Sequence, residues 1–136
     1  WLVELKDGKT PIGMCGLLKR DTLEDPDIGF AYLPAFQSKG YGFEAASAVL
    51  DWVRRSLDLP RVVAIVNADN DASARLLEKL GMRFERMVQP FAGEPPLRLF
   101  AVSARRSPGA DPVIDSRRRA RHSTVTRTWH GRQSSR

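Results

Sequence analysis

Gln37-Ser38-Lys39-Gly40-Tyr41-Gly42 is the stretch whose residue types and spacing can do chemistry. A lysine beside two glycines suits an anion. Glycine leaves room for a phosphate to approach the main chain. If a helix starts here, its first N–H groups are unpaired and backed by the helix dipole. Two nucleotide-binding patterns do not fit. There is no Gly-Lys followed by Ser or Thr, so this is not the phosphate loop of nucleotide hydrolases. The dinucleotide fingerprint lacks its third glycine, with Ala45 in that place as a tolerated variant. Asp69 and Asp71 come too late to be its acidic residue. Cys15 is the single cysteine, and His122 and His130 both lie near the C-terminus. No metal cluster is expected from so few ligands.

The loop needs a strand before it and a helix after it. Asp27–Leu33 reads as a strand. Phe43, Ala46, Leu50, Val53 and Leu57 recur at spacings of three and four, which predicts one face of a helix from Gly40 to about Leu57. Leu59-Pro60 ends it, and the near-continuous apolar run Arg61–Val66 predicts a buried parallel strand. Asn70 or Asp69 would cap a second helix with Leu76, Leu77 and Leu80 on its apolar face and Gly81 at its end. Trp1–Lys6 and Pro11–Arg20 form a hairpin around Asp7-Gly8-Lys9. Met82–Pro90 and Leu97–Ser103 form a last antiparallel pair. The predicted order is β-β-β-α-β-α-β-β, a mixed α/β sheet, in one domain over residues 1–102.

Gln37-x-x-Gly40-x-Gly42, followed by Asn70-Asp71-Ala72-Ser73-Ala74-Arg75-Leu76-Leu77-Glu78-Lys79-Leu80-Gly81-Met82, resembles the GNAT superfamily of acetyl-CoA-dependent N-acetyltransferases. Within it the chain is most similar to the branch of ribosomal-protein N-terminal acetyltransferases. The resemblance covers roughly residues 1 to 102. It implies the acyl-CoA N-acyltransferase fold, acetyl-CoA as co-substrate without a metal, and direct acetyl transfer to a primary amine, of a protein N-terminus or a small molecule. By the same resemblance Gln37, Ser38, Lys39, Gly40, Tyr41 and Gly42 would hold the pyrophosphate, and the edge of Phe30–Leu33 the pantetheine amides. A backbone N–H between Ala31 and Leu33 would polarise the thioester. Asn70 and Ser73 match positions that face the pantetheine and the leaving thiol.

An amine is largely protonated near neutral pH, so a base must take a proton. The candidates are Glu44, in the first helical turn, and Asp27, at the strand start. Each also has an ordinary role, Glu44 as a complement to the helix dipole and Asp27 as a solvated strand end, which is the reading preferred for Asp27. Many relatives carry a tyrosine acid on the second helix, and here that position is Leu77. Ser73 is then the nearby hydroxyl. Arg75 and Lys79 read as solvated, and Cys15 as a buried, inert thiol with no histidine to activate it. The alternatives to an enzyme are an inactive acyl-CoA-binding scaffold and a basic nucleic-acid binder.

The formal net charge is +6, yet residues 1–102 hold 13 Lys and Arg against 14 Asp and Glu. The positive excess lies in residues 103–136, around Arg117-Arg118-Arg119-Ala120-Arg121. That segment is poor in large apolar residues and is expected to be disordered. Nucleic acid is not expected as a partner, and only this tail could touch it. The chain begins in a strand without Met, and family members carry elements ahead of this point, so an N-terminally truncated domain is expected. Its first strand would be an open edge inviting self-association. With no signal peptide and no membrane-length apolar run, a cytoplasmic protein without a membrane partner is expected.

Overall fold

The computed structural model describes residues 1–105 and the backbone of residues 125–128. Strands β1 (Leu2–Leu5), β2 (Pro11–Leu18) and β3 (Asp27–Tyr32) form an antiparallel meander. A short 3-10 turn, Pro34–Phe36, leads into α1 (Tyr41–Ser56), then β4 (Arg61–Asn67), α2 (Asp71–Lys79), β5 (Arg83–Val88) and β6 (Leu97–Ser103). A further strand, β7 (Val125–Thr128), completes a sheet of order β5-β6-β4-β3-β2-β1-β7. The mixed α/β fold and the element order read from the sequence are both present.

Three details differ from expectation. First, β7 pairs antiparallel with β1, Leu2 opposite Thr128, so the edge expected to be open is covered. The β-branched Val125, Thr126 and Thr128 suit a strand, a signal too short to stand out in a basic segment. The Arg117–Arg121 run and the other residues of 106–124 and 129–136 lie outside the described residues. Second, packed structure continues one residue past the last expected strand. β6 ends at Ser103, and Ala104 is buried with its N–H donating to Pro60 O at 3.1 Å. Third, the buried face of α1 is Ala45, Ala46, Val49, Leu50 and Val53. Phe43 and Leu57 are exposed: Phe43 belongs to the first turn, and Leu57 has already left the helix in an extended conformation.

What matters most for function is where the sheet comes apart. β3 and β4 run parallel but pair at a single position, Asp27 with Val63. Val63 N–H donates to Pro26 O at 3.0 Å there. Beyond it, each strand is held on its other side, β3 by β2 along its whole length and β4 by β6 from Arg61 to Asn67. The sheet is therefore two halves joined at one end and parted at the other. Arg61 braces the joined end. Its Nε reaches Asp25 Oδ2 at 2.7 Å and a terminal nitrogen reaches Glu85 Oε2 at 2.9 Å.

Val3, Ile12, Cys15, Leu77, Met82 and Phe100 anchor the main core. Beside it, Gly13 has the least room for a Cβ of the described glycines. A Cβ there would lie 2.3 Å from Ala31 O and 2.6 Å from Tyr32 Cδ1. Leu23, Val63 and Leu99 form a smaller cluster under the β2–β3 loop.

Candidate functional site

The loop before α1 has the backbone its glycines allow. Ser38 and Gly40 both adopt positive φ, 58° and 83°. Gly40 is the N-cap and offers no side chain, so it cannot satisfy the helix's first amides. Among the described residues, the first of them to find an acceptor is Glu44 N–H, which donates to Gly40 O at 3.1 Å. The N–H groups ahead of it are unused by the helix. Gly42 serves a different end. A Cβ there would press to 3.2 Å from Leu76 and 3.4 Å from Tyr32. Its lack of a side chain lets α1 start close to α2 and β3, a packing demand beyond the clearance for phosphate that the sequence suggests.

Gln37 turns inward. Its Nε2 donates to Tyr32 O at 3.1 Å, and its own N–H donates to Pro34 O at 3.3 Å. It fixes the loop to the end of β3. Lys39 is exposed, with Nζ 6.0 Å from the centre of the Phe36 ring. Tyr41 is half-buried against Phe36.

Where β3 and β4 part, a cleft of about 320 Å³ opens. Ile28, Gly29 and Phe30 line one wall, Ala64 to Asn67 the other, and Asn70, Ser73 and Leu77 of α2 close an end. Backbone groups alternate between the two edges of a strand. Leu33 N–H donates to Ile12 O at 2.9 Å, on the β2 side. By that alternation Ala31 also faces β2, while Ile28, Phe30 and Tyr32 face the gap. Of the N–H groups from Ala31 to Leu33, those of Ala31 and Leu33 therefore face β2 and that of Tyr32 faces the gap. The sequence located the strand but not the parity of its edges. Across the gap, Val63 N–H faces β3, so Ile65 does too.

Asn70 caps α2 as expected, its Oδ1 accepting from Ser73 N–H at 3.1 Å. Both residues line the cleft. Arg98 steadies this turn from β6, bonding Asn67 O at 3.2 Å and Asp71 Oδ1 at 3.3 Å. Glu44 is half-buried in the first turn of α1 and does not line the cleft. Asp27 does. It was expected to be a solvated strand end, yet it is 2% exposed. Its Oδ1 accepts from Arg20 Nε at 3.0 Å. The reason is its place at the joined end of the sheet, opposite Leu18 on β2 and Val63 on β4. Arg20 and Phe91 also line the cleft, and sequence reading missed both. An acid heading an apolar strand was the available signal for Asp27. Arg20 and Phe91 come from two loops whose meeting no local pattern records.

Tyr32 stands between the loop and the core. Its hydroxyl is buried and hydrogen-bonds to nothing among the described residues. Burial, and then the nearby Cys15 and Glu44, raise its pKa well above the ordinary 10.0. Tyr32→Phe should stabilise the fold by about 1 kcal/mol, because it removes an unpaired buried hydroxyl. The pH dependence has a definite sign. Below pH 10 the phenol is neutral in folded and unfolded chains alike. Above it the unfolded chain loses the proton first, so Tyr32 costs stability as pH rises. Denaturant melts between pH 8 and 11 should show a steeper decline in wild type than in Tyr32→Phe.

Comparisons with known proteins agree with this fold. The chain is 39% identical over 59 residues to the uncharacterized N-acetyltransferase YnaD of Bacillus subtilis, covering 43% of this chain and 35% of that protein. It is 32% identical over 92 residues to the uncharacterized N-acetyltransferase YoaA of the same organism, covering 67% and 52%. The chain thus spans between a third and about half of the length of these relatives. The crystal structure of a GNAT-family acetyltransferase from Bacillus anthracis superposes with a TM-score of 0.66 at 28% identity, covering 76% of this chain and 64% of that one. The family model described as an acetyltransferase (GNAT) domain matches residues 1–83. That span holds the meander, the glycine loop, both helices and the parted strands, and the chain belongs to the GNAT acetyltransferase family.

Proposed function

We propose that the chain is the acetyl-CoA-binding core of an N-acetyltransferase acting on a primary amine. One observation carries the reading: two parallel strands pair at Asp27 and Val63 and then part beside the glycine loop that opens α1. Ligands of open α/β sheets lie at the carboxyl ends of parallel strands, where such a gap opens. The residues fit acetyl-CoA. The unused amides from Gly40 to Phe43, with Ser38 and Lys39 beside them, suit its pyrophosphate. The gap-facing backbone of Ile28, Phe30 and Ile65 suits the pantetheine amides. Asn70 and Ser73 lie where the arm would end.

Acetyl-CoA supplies an activated acyl group. The amine nitrogen forms the new N–C bond as the C–S bond breaks, one proton leaves the nitrogen, and one is taken up by sulfur. A gap-facing N–H, such as that of Phe30, would stabilise charge on the carbonyl oxygen. Asp27 is better placed than Glu44 to hold the cationic amine and to pass its proton on, directly or through water. Ser73 is the hydroxyl nearest the expected exit of the thiolate. A thiol pKa near 8.5, as for cysteine, makes an acid helpful rather than essential. Ser73→Ala should therefore lower kcat about 10-fold, or about 1.4 kcal/mol, and leave CoA affinity nearly unchanged. Comparison of steady-state kinetics with CoA titration checks this split. A protein N-terminus, as in the ribosomal-protein branch, and a small-molecule amine both satisfy the chemistry.

The test of the function is thiol release from acetyl-CoA in the presence of primary amines, with the acetylated product identified by mass spectrometry. Amine-dependent release supports the reading. Tight CoA binding with no transfer to any amine would favour an inactive acyl-CoA-binding domain instead.

A further inference from the structure

We propose that the acceptor carries a carboxylate close to its reactive amine, and that Arg20 reads it. The inference rests on the acetyltransferase reading above and names its substrate class. Among the described residues, Arg20 and Asp27 are the two charged side chains that line the cleft. They form an ion pair through Arg20 Nε and Asp27 Oδ1 at 3.0 Å. Asp27 is 2% exposed and Arg20 is 33% exposed, so the acid is sunk in the wall and the guanidinium stands above it. No protein acceptor among the described residues is hydrogen-bonded to the two terminal nitrogens of Arg20. Its guanidinium carbon lies 5.5 Å from the centre of the Phe91 ring. A guanidinium held at one edge and backed by an aromatic face keeps its fork of donors in a fixed plane, the arrangement that binds a carboxylate best.

The two loops are built to hold this posture. Lys19 Nζ donates to Leu23 O at 2.6 Å and to Arg20 O at 3.1 Å, and Leu23 N–H donates to Arg20 O at 3.3 Å. Leu23 is itself buried against Val63 and Leu99. On the other side, Pro90 is buried, Glu94 N–H donates to Phe91 O at 3.2 Å, and Gln89 Nε2 donates to Glu94 O at 3.0 Å. A solvated surface arginine has no need of such bracing.

Charge balance selects the ligand. Because Arg20 and Asp27 cancel each other, a bare anion gains from one and is repelled by the other, and a bare cation likewise. A molecule with an ammonium and a carboxylate a few bonds apart can lie antiparallel to the pair, ammonium on Asp27 and carboxylate on Arg20. Free α-amino acids have this form. A peptide N-terminus followed by an acidic residue has it as well.

The experiment is calorimetric titration of the chain, saturated with CoA, using L-alanine against L-alaninamide and the C-terminally amidated peptides Ala-Asp-Ala against Ala-Asn-Ala. The proposal expects tighter binding of the carboxylate-bearing member of at least one pair by about tenfold, the scale of one charge-assisted bond. The pair that discriminates identifies the source. Arg20→Gln, which keeps a donor for Asp27, should erase the preference. Phe91→Leu, which leaves the ion pair in place, should reduce it several-fold without weakening the neutral members. Equal or undetectable binding within both pairs would overturn the inference while CoA binding still stands. A preference that survives Arg20→Gln in a folded protein would also overturn it. Failure of CoA itself to bind would overturn the acetyltransferase reading first.

Discussion

Gly40→Asp should abolish CoA binding and leave the fold in place. Two facts separate binding from folding here. Nothing lies within 4 Å of where a Cβ would sit at Gly40, so a side chain meets no steric obstacle. The φ of 83° does strain a non-glycine residue, by roughly 1–2 kcal/mol, with Asp among the residues that tolerate it best. The larger effect is charge. A carboxylate on the loop would face a pyrophosphate at close range. At about 4 Å and an effective dielectric near 20, one such like-charge pair costs about 4 kcal/mol, roughly a thousandfold in affinity. Gly40→Asn carries the same backbone strain without the charge and should keep most of the affinity. Calorimetry on the three proteins separates these outcomes. Equal CoA affinity in wild type and Gly40→Asp would remove the loop from the binding site.

Gly13→Ala is the substitution expected to damage the fold most. Its Cβ would lie 2.3 Å from Ala31 O and 3.0 Å from Tyr32 Cα, both backbone atoms of the paired strand. Neither can swing aside as a side-chain tip could, so β2 must shift away from β3 in a packed core. Overpacking of this kind costs about 3 kcal/mol or more. In a domain of this size each kcal/mol lowers Tm by roughly 4–8 °C, so the drop should be at least about 12 °C. Gly29→Ala on the adjacent strand is the control, since nothing lies within 4 Å of its Cβ. It should stay within about 1 kcal/mol of wild type. A Gly13→Ala protein melting within a few degrees of wild type would mean that the β2–β3 packing is looser than drawn.

The sequence made the frame of this site visible because the frame is local. Gly40 and Gly42 mark a strand-to-helix turn, Asn70 marks an N-cap, and the helical and strand periods on either side confirm both. What it hid depends on which elements meet. Asp27 reads as a strand end, and its burial follows from pairing with Val63, a residue 36 positions later. Arg20 and Phe91 belong to separate loops, and no period or motif links them. The facing of Ala31 and Leu33 depends on the register with β2, which a one-residue shift would reverse. Strand β7 was too short and too embedded in basic sequence to be distinguished from its surroundings.

Backbone amide shifts recorded while the chain is titrated with acetyl-CoA test the central claim most directly. The account predicts saturable shifts concentrated at Ser38 to Phe43, at Ile28 and Phe30 on β3, at Ile65 on β4, and at Asn70 and Ser73. Amides of β1 and of the far edge, β5, should stay still. Saturable shifts confined to other surfaces, or none at millimolar acetyl-CoA, would contradict the assignment of this cleft to the thioester.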